Sequence, residues 1–173
     1  MKKSTIILTV VILVLALAVG GFAYLNRGNI EQKQELQDSK QFYIKQGGQI
    51  LATVTMDDIE SAGLQDIDAI LDTSETEPAP VQFTGVELSK LLSYKNIETT
   101  GVTAYEFMAL DGYASAVTAE EAATPDNVYI VVKQDGKWLK NKGEGGMGPY
   151  LMIIKSSEFS QRWCKFVEAV NLK

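Results

Sequence analysis

The sequence predicts a β-dominated α+β domain behind one N-terminal membrane-spanning helix. Three observations carry that reading. Ile6–Leu25 runs twenty residues without a charge. Beyond it, short runs rich in β-branched and aromatic residues are separated by Gly, Asn and Asp turns. Between those runs, Thr55-Met56-Asp57-Asp58 and two T-x-x-E boxes, Thr84–Glu87 and Thr118–Glu121, mark brief helices.

At 1.5 Å of rise per residue the uncharged run spans roughly 30 Å, the hydrocarbon thickness of a bilayer. Lys2 and Lys3 precede it and Arg27 follows, so the positive-inside bias places the N-terminus in the cytoplasm and the rest outside. A cleaved signal peptide is the alternative, because Ala16-Leu17-Ala18 and Gly21-Phe22-Ala23 both offer a small-x-small site. The run exceeds the about 7–15 apolar residues of a signal peptide, which favours retention. The absence of cysteine near residue 20 excludes a lipoprotein anchor. The expected organisation is a membrane anchor or signal peptide over 1–27, a polar linker over 28–41 and a globular domain over 42–173. The expected location is the cell membrane with the C-terminal domain extracytoplasmic, or secretion if the N-terminal segment is cleaved.

Thirteen of the sixteen basic residues and all twenty-two acidic ones follow Arg27, so the exported part carries a net −9. Such a surface opposes nucleic acid and anionic lipid. The single cysteine, Cys164, precludes an intramolecular disulfide, and the domain must be held by its core.

In chain order, Asn26–Gln41 reads as a linker or frayed helix. Phe42–Lys45 and Ile50–Val54 form a hairpin about Gly47-Gly48. Thr55 caps a helix that Gly63 stops. Asp72–Pro80 is a loop by composition. A helix is expected from the Thr84/Glu87 box, with Val86, Leu88, Leu91 and Leu92 as its apolar stripe. Val102–Leu110 is a strand, turned by Asp111-Gly112 into Tyr113–Val117, and Thr118/Glu121 caps a short helix. Asn127–Lys133 and Tyr150–Ile154 read as buried strands, with a turn at Gln134–Lys137 and a glycine-rich loop at Lys140–Pro149. Trp163–Leu172 fits either a closing strand or a short helix.

The absences narrow the chemistry. No histidine is present, so Ser-His-Asp and Cys-His nucleophilic machinery and histidine-based zinc sites are excluded. No S-x-x-K pair occurs either. Asp57-Asp58 and Glu120-Glu121 fall in first turns of helices, where they complement the helix dipole. Gly143–Gly148 matches G-x-G-x-x-G, but a dinucleotide fingerprint needs a strand before it and a helix after it, and here Pro149 leads into a strand. Close approach of this backbone to a ligand or to a neighbouring loop explains the glycines. Cys164 is either a small buried residue or a thiol activated by Lys165. Arg162 and Lys165 either bind an anion or cover the core with their stems.

Phe83-Thr84-Gly85-Val86, Leu88 and Leu91-Leu92 resemble the F-x-G-V-x-L-x-x-L-L segment of the oxidoreductase molybdopterin-binding domain, the sulfite-oxidase-type fold. The Asp111-Gly112-Tyr113 turn, Asp135-Gly136-Lys137-Trp138-Leu139, Gly148–Ile154 and Arg162–Val170 follow in that family's order. The resemblance covers roughly Phe83–Lys173, and more weakly from Phe42. It implies the fold. In the family's catalytic members a cysteine on the N-terminal side of the F-x-G-V segment binds molybdenum, and histidines and arginines hold the pterin phosphate. This chain has no cysteine before Cys164, no histidine, and no arginine between Arg27 and Arg162. The resemblance therefore implies no catalytic residue and no metal ligand. The positions left as ligand-binding candidates are Asp111, Tyr113, Lys140, Lys142, Gly145, Gly146, Gly148, Arg162, Trp163 and Lys165.

The expectation is a non-catalytic ligand- or partner-binding module without a cofactor. The alternatives are a molybdopterin-binding oxidoreductase subunit, which requires Lys140, Lys142, Arg162 and Lys165 to converge, and an assembly factor of a membrane complex. The expected partners are the membrane and a membrane-complex protein or a small ligand, and not nucleic acid.

Overall fold

The computed structural model describes residues 3–73, 76–157 and 160–173. Lys2, half of the basic flank of the apolar run, lies outside the described residues, as do Ser74 and Glu75 of the expected Asp72–Pro80 loop. The chain forms two units, 1–35 and 36–173. The first is helical. Helix α1 (Lys3–Ser39) continues through the polar stretch after the apolar run, and within it Ile7–Leu25 is long and apolar enough to cross a membrane.

In the second unit β1 (Gln41–Gln46) and β2 (Gln49–Thr55) form the expected hairpin. Gly47 and Gly48 both take positive φ, 56° and 82°, which a two-residue turn compatible with strand twist demands. Thr55 then caps α2 (Met56–Ser61) through a reciprocal box with Asp58. β3 (Gln65–Thr73) pairs antiparallel with β4 (Thr76–Glu87), so strand structure extends into the stretch expected as a loop. Pro78 and Pro80 are tolerated there because β4 pairs with a second strand only from Phe83 onward, leaving one edge free of ladder bonds.

The Thr84/Glu87 capping box does not form. Thr84 is a strand residue whose hydroxyl donates to the Asp66 carboxylate at 2.8 Å, and the helix cap is Glu87, without a side-chain cap bond. Packing decides the outcome. At Gly85 the chain passes so close to Ile130 and Val131 that a Cβ would lie 2.4 Å from the Ile130 carbonyl oxygen. Helix α3 (Leu88–Tyr94) starts after it and buries Leu88, Leu91 and Leu92 of the expected stripe, whereas Val86, expected on the same helix, is a buried residue of β4.

β5 (Ala104–Ala109) and β6 (Ala114–Thr118) follow, then α4 (Ala119–Ala123), capped by the expected Thr118/Glu121 box. β7 (Val128–Gln134) turns at Asp135-Gly136 into β8 (Lys137–Trp138), and β9 (Leu151–Ile154) pairs with β7 beside it. Val128–Val132 and β9 are fully buried, which is why they read as unbroken apolar runs. Within Trp163–Leu172 the closing element is a strand, β10 (Val167–Leu172), and not a helix.

One sheet runs β2-β1-β10-β5-β6, with β1 and β10 parallel, and the other runs β3-β4-β7-β8 with β9 also on β7. Both sheets contribute to a single core, crossed by edge-to-face pairs Phe42–Tyr150 (4.9 Å) and Phe83–Trp163 (5.7 Å). The domain is β-rich α+β, as expected.

Candidate functional site

A cavity of about 290 Å³ opens where the end of β3, the β5–β6 turn and the segment before β10 meet. Asp111 and Tyr113 come from the turn. The Asp111 carboxylate accepts the Tyr113 N–H at 3.1 Å, and Gly112 supplies the φ of 88° that closes the turn. The Tyr113 hydroxyl donates to the Gln161 carbonyl and the Ser115 hydroxyl to the Arg162 carbonyl, both at 2.6 Å. These two bonds hold a 3₁₀ turn, Ser160–Arg162, against β6 and bring Ser160 and Gln161 to the rim. Trp163 is buried at the cavity wall; its indole N–H donates to the Ile154 carbonyl at 3.3 Å and its ring meets the Phe83 edge. Lys165, with Leu71 and Asp72 of β3, completes the lining.

Four of the ten candidate positions thus share one cavity: Asp111, Tyr113, Trp163 and Lys165. Lys142 reaches it indirectly, 3.4 Å from the Asp111 carboxylate and 5.3 Å over the Phe166 ring. Arg162 is committed elsewhere. Its guanidinium grips the Glu121 carboxylate through two bonds, 2.7 and 3.1 Å, and donates to the Ala116 carbonyl. The Arg162 hydrogen bonds, aided by Thr118 and opposed by desolvation, pull the Glu121 pKa down to about 2.

Lys140, Gly145 and Gly146 belong to a second cavity of about 330 Å³, between the β7–β8 hairpin and the glycine-rich loop. That loop closes on itself. Gly148 N–H donates to the Lys140 carbonyl at 2.8 Å, a Cβ on Gly146 would strike that same oxygen at 2.1 Å, and one on Gly148 would meet the Leu139 side chain at 2.5 Å. The glycines answer to a neighbouring stretch of backbone, and a strand, β9, comes next after them. Lys140, Lys142, Arg162 and Lys165 therefore do not assemble one basic surface. A third cavity, about 470 Å³ between α3 and α4, is lined largely by small side chains such as Ser89, Ser93 and Ala119 and contains no candidate residue.

Cys164 is a buried strand-like residue. Its N–H and carbonyl both bond Met152, at 3.1 and 2.9 Å, and burial, with Asp111 and Glu168 adding, pushes its thiol up to about 12. The alternative of a lysine-activated thiol is set aside by this. Among the described residues no three His, Cys, Asp or Glu side chains gather as a metal site.

Sequence reasoning missed Leu71, Asp72, Ser160 and Gln161 as wall residues. A signal for the first two existed: Asp66-Ile67-Asp68-Ala69 alternates polar and apolar, the period of a half-buried strand. Asp72 also lies N-terminal to Phe83–Val86, on the side where the resemblance expects a metal-binding cysteine. Nothing in the sequence marks Ser160 or Gln161, since their place depends on hydrogen bonds from Tyr113 and Ser115.

No protein-family profile matches the sequence, and no curated protein sequence matches it. Among solved structures, the sulfane dehydrogenase SoxCD from Paracoccus pantotrophus is similar, with a TM-score of 0.60 at 14% identity, covering 76% of this chain. The match spans 37% of that chain, well under half its length. The likeness is one of fold, and it agrees with the sulfite-oxidase-type architecture expected from the sequence.

Proposed function

We propose that this sulfite-oxidase-type domain is a membrane-tethered extracytoplasmic binding module, taking a small ligand or a partner in the cavity at Asp111, Tyr113, Trp163 and Lys165 without catalysing its conversion. The observation that carries the reading is the donor set of that cavity: carboxylates from Asp72 and Asp111, an ammonium from Lys165, and no thiol or imidazole. The residues do not fit a molybdopterin. The chain's one cysteine is buried, its backbone bridged to Met152, Arg162 is bound to Glu121, and Lys140 lines a different cavity. A group of this charge pattern selects a ligand with polar or zwitterionic ends and an apolar face against Trp163.

The fold similarity favours a second reading, an oxidoreductase subunit whose site is completed by another chain. One experiment separates the two: elemental analysis with mass spectrometry on full-length protein taken from its native membrane. The binding-module reading expects neither molybdenum nor tungsten and no released pterin. Stoichiometric metal with pterin overturns it. The same intact mass reads whether the N-terminal segment is retained. An assembly role would appear instead as a constant membrane partner lost on deleting residues 1–27.

A further inference from the structure

Among the described residues, Lys90, Lys95, Lys142, Lys155, Arg162 and Lys173 are each tied to a carboxylate. Lys133, Lys137 and Lys140 form no such pair among these residues; Lys133 stands over the exposed Trp138 indole, and Lys137 and Lys140 share a cavity with that ring. The Lys133 ammonium lies 4.2 Å over the Trp138 ring, and Trp138 is 48% exposed. Lys137, Trp138 and Lys140 then line the cavity of about 330 Å³, whose far wall is Gly145, Gly146 and Met147 and whose one carboxylate is Asp135 of the turn. An exported part carrying −9 thus keeps a local excess of positive charge, an aromatic face and a thioether in one concave place.

The geometry points to a docking site for an acidic, extended peptide segment of a partner protein. Carboxylates of the segment meet Lys137 and Lys140, and an apolar side chain between them rests on Trp138 and Met147. A lipid surface fits less well. A charged plane faces the net negative domain as a whole, whereas a narrow segment inside a concavity feels mainly charges within the Debye length of about 8 Å. The closed hydrogen bonding of the glycine-rich loop keeps the far wall in place without a ligand, so little ordering cost attends binding.

The test uses full-length protein in nanodiscs of zwitterionic lipid and a fluorescent peptide alternating Glu with Leu, followed by anisotropy. The expected result is saturable binding that weakens with added salt, falls about tenfold or more in the Lys137→Glu, Lys140→Glu double variant, and falls in Trp138→Ala. The double variant should gain affinity for a Lys/Leu peptide. Unfolding midpoints of the variants, read from buried Trp163, confirm that the domain is intact; the milder Lys137→Gln, Lys140→Gln pair serves if charge reversal disturbs it. Absent binding, or binding indifferent to these changes, overturns the proposal. Binding to phosphatidylglycerol vesicles with no peptide binding also overturns it and assigns the patch to lipid.

Discussion

Replacing Glu121 by Gln isolates the ion pair that pins the cavity's 3₁₀ turn to the start of α4. Gln keeps a carbonyl oxygen for the Thr118 N–H, so the capping box survives while the charge opposite Arg162 is lost. A carboxyl held at about 2 instead of its ordinary 4.5 corresponds to roughly 3 kcal/mol, at about 1.4 kcal/mol per pH unit. Solvent reaches the pair, the Arg162 side chain being 44% exposed, and screening reduces the sum to about 1 kcal/mol. Because the folded-state pKa is depressed, the stabilisation is fully present above about pH 4.5 and is lost as pH falls through about 2. Urea unfolding of full-length protein in detergent, followed by tryptophan fluorescence, should separate wild type from variant by that amount at pH 7 and progressively less below pH 4. Equal midpoints at pH 7, or a gap that stays constant down to pH 2, would refute the reasoning.

Three further outcomes follow from single positions. Gly85→Ala drives a methyl group into the Ile130 carbonyl and the Val131 backbone; overpacking of about 1–3 kcal/mol should lower the thermal midpoint by several degrees, and an unchanged midpoint would show that β4 and β7 can separate there. Cys164 should resist iodoacetamide at pH 8 in the folded protein and react in urea, because a buried thiol with a raised pKa offers little thiolate; rapid native labelling would place it at an accessible site. Tyr113→Phe removes the donor to the Gln161 carbonyl and should cost about 0.5–1.5 kcal/mol in urea unfolding, with no loss if the 3₁₀ turn is held by Ser115 alone.

Most of the fold was legible wherever a local rule acts locally. The two-glycine hairpin, the Thr55 and Thr118 caps and the buried runs of β7 and β9 obey turn, capping and burial preferences that need no distant partner. The failures came where a long-range partner overrode the local signal. Thr84-x-x-Glu87 reads as a helix start, but pairing with β3 and β7 keeps it extended, and the acidic, proline-bearing stretch before it is strand because β3 lies alongside. The candidate site was half legible for the same reason. Asp111 and Tyr113 sit in a recognisable turn, whereas the engagement of Arg162 by Glu121 and the separation of Lys140 from Lys165 depend on how distant loops fold back.

The parallel pairing of β1 with β10 also sets the order in which this domain can be completed. β10 follows β1 to β9 in chain order yet lies in the middle of its sheet, between β1 and β5. During synthesis the β1–β2 and β5–β6 hairpins emerge first as two fragments with open edges, and neither can seal until Val167–Leu172 arrives between them. Loop closure over more than a hundred residues precedes any reward from that pairing, which makes the step slow and leaves two unpaired edges exposed in the interval. Deleting Val167–Leu172 would therefore split the sheet through its centre, where loss of β2 or β6 would only trim its rim.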